Sequence, residues 1–283
     1  MRFGRFALDE HLHLHLNFRR RIAWLLWLRR GLWVALLAYA AYAIAGRWRH
    51  VPTLVPVIFV ATLLSIALKH WESSLRRQFV REAVFPGFLI GKLRAAHTQL
   101  SERDAELVLH GLRQFFMAHL RSGRRFVAMP SRVVDTAWHE FILHTQGYQR
   151  WCHAAFGGLL HHTPAEVLGR DARRNDGLRR SWYWACKEES IDPRKPTRLP
   201  LLFALDAKFD VPGGFRYVPD CADINRQADS GTQCGSSFSS SDGGSGDAGG
   251  FGGSESSSGD GGGSDGSGDG GGGCGGGCGG GGD

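Results

Sequence analysis

Two runs of uncharged, apolar residues stand near the start of the chain, with only four residues between them. The first runs from Gly31 to Gly46 and the second from Val51 to Leu68, and neither contains a charged side chain. A helix of about 20 apolar residues spans a bilayer core, and shorter runs are accommodated by local thinning and interfacial anchors. Because the connection is so short, the two helices must be antiparallel. The pattern predicts a transmembrane hairpin over residues 31–68.

Two other interpretations of these runs stay open. They are compatible with a pair of buried helices in a soluble protein, although a soluble core rarely needs two uncharged runs so close together. Arg29 and Arg30, followed by an apolar run and Ala-Tyr-Ala, also resemble a cleaved signal peptide. A second apolar run follows at once and a long segment precedes the first, which favours the hairpin.

Positive charges are concentrated on both outer sides of the hairpin. Residues 2–30 contain seven Lys or Arg residues and residues 69–94 contain six, whereas the turn contains two. The positive-inside rule places the more basic sides in the cytoplasm. We therefore expect a protein of the inner (cell) membrane with both termini cytoplasmic and the lipid bilayer as a partner. The basic segment 1–30 also mixes Arg with Trp and Leu, as interfacial amphipathic helices do.

Residues 71–230 have the composition and the helical periodicity of a soluble domain. Ser101 precedes a run of apolar residues at helical spacing, and Asp104 completes a capping box. Ser131 and Thr145 are suitable N-caps for two further helices, the second of which ends at a pair of glycines. Several prolines in the last part of the domain indicate a more irregular chain. We predict a mainly α cytoplasmic domain with minor strand content.

The segment 235–283 differs from the rest of the chain in composition. It has 49 residues, of which 25 are Gly, and it contains seven acidic and no basic residues. A stretch with so few apolar side chains cannot offset the entropy lost on folding. We expect a disordered, acidic Gly/Ser-rich tail.

The charge of the tail makes the remainder of the chain strongly basic. The whole chain carries +7, so residues 1–234 carry +14. A basic body suggests nucleic acid or anionic lipid as a partner. Many of the Arg residues flank the apolar runs, and no nucleic-acid-binding motif with stacking aromatic residues is present. Nucleic acid is therefore the least favoured partner.

One stretch of the predicted domain is rich in His and Cys. On a helix, Asp135 lies one turn before His139, and Cys152 follows on the next helix. His161 and His162 come after the Gly-Gly turn. If His139, Cys152 and one of the paired histidines converge, they give three ligands for zinc, with Asp135 behind His139 as a second-shell acid. Three ligands and a water molecule form a catalytic zinc site, whereas four form a structural one.

A purely structural interpretation of the same residues stays open. Neither a C-x-x-C nor an H-E-x-x-H motif is present, because His144 lies five residues after His139. Asp135 and His139 could form a hydrogen-bonded pair that ties helices together, with Cys152 as a small buried apolar residue.

A larger pattern of residues around this stretch resembles a known family. The pattern consists of Pro130-Ser131, Val134-Asp135, Trp138-His139, Ile142-Leu143, Thr145, Tyr148, Cys152, Phe156-Gly157, His161-His162 and Pro164. It is similar to that of the bacterial glycine-rich domain-containing proteins, which are distantly like the plant glycine-rich domain proteins with their Val-Asp-x-x-Trp-His element. The run Leu199–Asp206 and the tail extend the resemblance, which covers about residues 85–283. The resemblance implies a domain boundary and no particular activity.

The six cysteines carry a further expectation. They are Cys152, Cys186, Cys221, Cys234, Cys274 and Cys278. A cytoplasmic location predicts that all are thiols, because disulfides are rare in reducing compartments. Cys274 and Cys278 could bind a soft metal or accept a lipid, although incidental thiols in a disordered tail are the simpler interpretation.

Two functional hypotheses follow from these patterns. The first is a membrane-anchored interaction or scaffold module that binds an unknown protein partner through its helical domain. The alternative is a zinc-binding domain, compatible with a hydrolytic role, built on His139, Cys152 and His161 or His162. No nucleotide-binding Gly loop and no Gly-x-Ser-x-Gly nucleophile motif occurs in the folded region. Whether the protein is an enzyme is left open by the sequence.

Overall fold

The computed structural model of the protein describes residues 3–45, 51–162, 172–220, 222, 232–235 and 238. Within these residues the chain is mainly helical, as expected. Its elements are α1 (Phe3–Ala45), α2 (Val51–Glu82), α3 (Phe88–Ala96), α4 (Glu102–Arg121), α5 (Arg132–Leu143), α6 (Thr145–Phe156), α7 (Ala172–Glu188), α8 (Leu201–Lys208), β1 (Tyr217–Val218) and β2 (Gln233–Cys234). The predicted turn at 47–50, the tail beyond residue 238, Cys221, Cys274 and Cys278 lie outside the described residues.

Helices α1 and α2 pack side by side in antiparallel directions. Contacts along the pair run from the rings of Phe18 and Phe79 to the hydrogen bond between the Tyr39 and Thr53 hydroxyl groups at 2.6 Å. Two segments, Asn17–Ala45 and Pro52–Glu82, are long and apolar enough to cross a membrane. Their outer sides expose large apolar side chains to the surroundings, among them Val34 (65%), Leu37 (69%), Val55 (74%) and Phe59 (64%).

Both helices are longer than the apolar runs alone predict. Helix α1 passes through residues 29–31 without a break, so the expected boundary at residue 30 is not a structural one. Helix α2 continues past Leu68 to Glu82. Helix α2 continues because its last part packs into the tertiary structure: Phe79 and Val80 are almost completely buried in the core of the helical domain. The second apolar helix is therefore also a core helix of the helical domain.

Local signals at the helix ends give three correct predictions and one wrong one. Ser101 accepts from the Asp104 amide at 3.2 Å, and the Asp104 carboxylate accepts from the Ser101 amide at 3.0 Å, so the capping box is confirmed. Ser131 caps α5 as predicted, and Gly157 ends α6 in a left-handed conformation (φ +79°). Thr145 is not an N-cap, because it is already the first residue of α6.

An aromatic core holds the domain together. Phe116 lies at its centre, with ring centroids 4.7 Å from Trp151, 5.9 Å from Phe156 and 6.2 Å from Phe85 and Trp138. These rings come from α4, α5, α6 and the segment after α2, so one cluster joins four parts of the chain. Edge-to-face and tilted pairs of this kind contribute beyond the area that they bury.

A second apolar cluster joins the last part of the domain. Trp182 of α7 is fully buried, packs on Phe203 of α8, and donates to the Pro193 carbonyl at 3.1 Å. The two short strands β1 and β2 pair in parallel, with Tyr217 opposite Gln233. They are the only strands among the described residues, which agrees with the prediction of minor strand content.

The cysteines divide into two kinds. Cys152 and Cys186 are buried free thiols, as predicted. Cys234, in β2, is disulfide-bonded, so the prediction of a thiol is wrong there. A disulfide is typical of an oxidising compartment, whereas the prediction followed from a cytoplasmic location.

Candidate metal site

A buried carboxylate fixes the first turn of α5. Asp206 of α8 accepts hydrogen bonds from the Ser131 hydroxyl at 2.7 Å and from the backbone amides of Arg132 at 2.8 Å and Val133 at 3.1 Å. It also accepts from the Phe215 amide at 2.9 Å. A negative charge at a helix N-terminus satisfies amides that have no partner within the helix and interacts favourably with its dipole. Helix α5 is thereby held in one position against α8.

Asp135 and His139 lie one turn apart on the solvent side of α5. The His139 Nδ1 is 2.8 Å from the Asp135 backbone oxygen and 3.4 Å from its carboxylate. Because Nδ1 then carries the proton, Nε2 keeps its lone pair for another partner. The side chains of Asp135 and His139 are 33% and 52% exposed, so both are accessible from solvent.

His162 reaches these residues from a loop that a tyrosine holds in place. After the left-handed turn at Gly157, the Leu160 carbonyl accepts a hydrogen bond of 2.6 Å from the Tyr148 hydroxyl. Trp138 of α5 donates to the same hydroxyl at 3.1 Å. Burial raises the pKa of Tyr148, so the hydroxyl stays protonated and can donate. This chain of hydrogen bonds ties the loop to α5 two residues before His162.

The result is a cluster of three potential metal ligands. His162 Nε2 is 3.0 Å from the Asp135 carboxylate, and the rings of His162 and His139 are 4.3 Å apart. One donor atom from each of the three residues lies within 4.8 Å of the other two. Two donors of a tetrahedral zinc ion, each 2.0–2.1 Å from the metal, are about 3.3 Å apart. The distance of 3.0 Å between His162 Nε2 and the Asp135 carboxylate is close to that value.

The cluster differs from the predicted ligand set at Asp135 and Cys152. His139 is present, and His162 rather than His161 is the member of the histidine pair that joins it. Asp135, predicted as a second-shell acid, stands among the potential ligands themselves. Cys152 lies outside the cluster, on the inner side of α6.

The environment of Cys152 explains its absence from the cluster. Its thiol is completely buried beside the Tyr148 hydroxyl and the Leu160 carbonyl, and burial raises its pKa. A thiol binds zinc as the thiolate, which this environment disfavours. Cys152 is therefore placed as a core residue, while the exposed His161 lies at the rim of the pocket.

The cluster lies in the wall of a pocket of about 620 Å³. Aromatic and aliphatic side chains form much of the lining, and the polar lining residues include His97, His119 and Arg132. Burial lowers the pKa of His119 to about 4, so its ring is neutral at pH 7. The His97 Nε2 is 3.3 Å from the Thr136 hydroxyl, one residue after Asp135. The volume suits a small organic molecule.

Sequence reasoning missed the residues that shape this pocket from distant parts of the chain. His97 follows α3, His119 lies in the last turn of α4, and neither stands in a recognisable motif. Asp206, which fixes α5, follows an apolar run that by itself indicates only a buried helix. Arg132 directly follows a predicted N-cap, so the sequence predicts its position in the first turn of a helix. Nothing in the sequence indicates that Arg132 also lines the pocket.

The fold and the cluster together define a class: a helical domain with a His- and Asp-lined pocket, continuous with two helices apolar enough to cross a membrane. A family model described as UCP032817-like matches residues 75–238, more than half of the chain. The chain belongs to this family, which is uncharacterised. No curated protein and no solved structure matches at a significant level. The resemblance to glycine-rich domain proteins stays a prediction.

Proposed function

We propose that the protein is a membrane-anchored metal-binding protein that holds a zinc ion with Asp135, His139 and His162. The convergence of these three side chains at the edge of a pocket supports this function best. Three ligands from two separate segments of the chain would leave a coordination position for water or substrate.

The donor set favours a transition metal such as zinc over magnesium and calcium. Two imidazoles and one carboxylate suit zinc and other transition metals, whereas magnesium and calcium prefer oxygen ligands alone. The Asp135 backbone oxygen would orient His139 by accepting its Nδ1 proton, as second-shell carbonyls do. A hydrolytic role would use a zinc-bound water whose pKa the metal lowers.

Zinc titration of the full-length chain tests this proposal. The chain is purified in detergent micelles, freed of metal with a chelator, and titrated with Zn²⁺ in competition with a chromophoric chelator. We expect one zinc per chain. His162→Ala and His139→Ala should each lower the affinity at least about 100-fold, since even second-shell changes cost 10–100-fold.

The adjacent histidine provides a matched control. His161→Ala removes the same side chain one position earlier, at an exposed site, and should keep the affinity of the parent. Equal losses in His161→Ala and His162→Ala, or no zinc in the parent, would contradict the proposal. Asp135 and His162 would then be a structural hydrogen-bonded pair, and the interaction-module hypothesis would become the leading one.

One surface feature supports that second candidate. Leu143 is 73% exposed at the end of α5, and Phe88 is 42% exposed at the start of α3. The ring of Phe88 lies 5.2 Å from the ring of His144, the residue directly after Leu143. A partner protein that covers them would bury apolar area at a site separate from Asp135 and His162.

We also propose that both termini face the cytoplasm. The excess of Lys and Arg on both outer sides of the hairpin supports this orientation, whereas the disulfide at Cys234 argues against it. Protease added to sealed cells is expected to leave the domain intact and to cleave it after permeabilisation. Cleavage in sealed cells would reverse the orientation and agree with the disulfide.

A further inference from the structure

One face of α1, next to the first apolar run, combines exposed arginines with exposed tryptophans. It consists of Arg20, Arg21, Trp24, Trp27 and Leu28, which we name the Arg/Trp face. Their spacing of three and four residues puts them on one side of the helix. The opposite side carries Phe18, Ile22 and Leu25, which are buried against the rest of the protein. The Arg/Trp face therefore points away from the protein.

The apolar members of this face are unusually exposed. Trp24 and Trp27 are 70% and 71% exposed, and Trp71 of α2 is 60% exposed. Trp71 lies at a similar level along the helix pair, because its neighbour Glu72 pairs with Arg29 of α1. Large aromatic residues that a protein leaves uncovered mark contact with a partner or a membrane. Trp is the side chain that is most enriched at the boundary between lipid and water.

The cations of the face have no partner within the described part of the protein. Neither Arg20 nor Arg21 forms an ion pair with any described residue, and both are exposed. Arg29, which points to the other side, is paired with Glu72 at 3.3 Å. The two free guanidinium groups thus present positive charge to an outside partner.

The Arg/Trp face lies along α1 directly before the apolar run, next to the predicted bilayer surface. With a rise of 1.5 Å per residue, Trp27 lies about 6 Å and Arg21 about 15 Å from the apolar run that begins at Gly31. The polar headgroup layer is roughly 5–8 Å thick on each side. Trp27 would sit in that layer, and a tilt of α1 toward the Arg/Trp face brings Trp24 and the two arginines closer to the phosphates.

We propose that the Arg/Trp face binds the headgroups of anionic phospholipids in the leaflet on the domain side. This proposal rests on the membrane anchoring proposed above and is independent of the zinc site. The acidic tail is the other candidate for these arginines. Its Gly and Ser residues offer little apolar surface to Trp24 and Trp27, whereas a bilayer satisfies both the charge and the rings.

Lipid selectivity in reconstituted vesicles tests the proposal. The full chain is placed in phosphatidylcholine vesicles containing either spin-labelled phosphatidylglycerol or spin-labelled phosphatidylcholine, and electron spin resonance measures the motionally restricted fraction of each. We expect about fivefold selectivity for the anionic lipid, which corresponds to about 1 kcal/mol for a basic residue near the surface. The selectivity should decrease at high salt.

A pair of substitutions assigns the effect to the face. Arg20→Gln/Arg21→Gln should lower the selectivity at least twofold, while Arg103→Gln/Lys195→Gln, which removes the same charge from exposed sites of the domain, should leave it unchanged. Equal binding of the two lipids by the parent chain, or equal losses in both variants, would overturn the proposal. Selectivity that appears only after residues 239–283 are deleted would also overturn the proposal, because the tail would then be what occupies the Arg/Trp face.

Flotation of the vesicles distinguishes a loss of lipid selectivity from a failure of membrane anchoring. A chain that floats with the vesicles after alkaline washing and shows no lipid selectivity refutes the Arg/Trp face alone. A chain that alkaline washing removes is not anchored, and it refutes both proposals about the membrane while leaving the zinc site to its own titration.

Discussion

Asp206→Ala is expected to destabilise the helical domain by about 4 kcal/mol, since each buried donor left without a partner costs about 1–3 kcal/mol. The carboxylate accepts from three backbone amides and one hydroxyl, and alanine replaces none of these bonds. A loss of this size is a large fraction of a typical domain's total stability. Thermal unfolding of the full chain in detergent, followed by near-ultraviolet circular dichroism, measures it.

The asparagine variant is the control for this prediction. Asp206→Asn keeps the size and one acceptor oxygen, and we expect it to lose less than half as much stability as the alanine variant. Because α5 carries two of the proposed zinc ligands, Asp206→Ala should weaken zinc binding as well. A loss below about 1 kcal/mol in Asp206→Ala, within the range of a single exposed cap, would mean that water replaces the carboxylate at the start of α5.

Arg76→Ala is expected to lower the free energy of unfolding by about 3–5 kcal/mol, the range for breaking a buried ion pair. Arg76 is buried, pairs with Glu72 at 2.9 Å, and donates to the carbonyls of His153 at 3.2 Å and Ala154 at 2.9 Å. Alanine would leave Glu72 with one cation, Arg29, and would remove the guanidinium that donates to the Ala154 carbonyl, whereas the His153 carbonyl keeps the Gly157 amide. The same unfolding experiment measures the change.

A second substitution tests the cause of that loss. In the Arg76→Ala background, Glu72→Gln removes the carboxylate that has lost its partner, and we expect it to recover part of the stability. Arg76→Lys keeps the charge and cannot form the same fork of hydrogen bonds, so it should lie between the parent and Arg76→Ala. Further destabilisation by Glu72→Gln in that background would show that the uncapped end of α6, rather than the unpaired charge, causes the loss.

Arg76 also connects the apolar helices to the proposed metal site. Arg29 of α1 pairs with Glu72 of α2, Glu72 pairs with Arg76, and Arg76 holds the end of α6. A Cβ atom at Gly157 would lie 3.2 Å from the Arg76 guanidinium, so the turn that leads to His162 packs directly on it. The loop with the third ligand is thus built against a helix that continues into the apolar segment.

The sequence by itself determined the features that depend on neighbours along the chain. The capping box at Ser101, the cap at Ser131 and the left-handed end at Gly157 are made by residues within a few positions of each other. The mainly helical fold and the two apolar helices follow from periodicity and composition. The pairing of Asp135 with His139 follows from the helix repeat, which puts residues four apart on one face.

Tertiary structure decided which side chains meet across the fold. His161 and His162 are equivalent as sequence, and the hydrogen bond between Tyr148 and the Leu160 carbonyl sets the path of the loop that brings His162 to Asp135. Cys152 stands close to these residues in sequence, yet it lies on the side of α6 that faces the core. Asp206 reaches α5 across more than 70 residues of chain. No local pattern specifies such contacts, because they depend on how complete helices pack against each other.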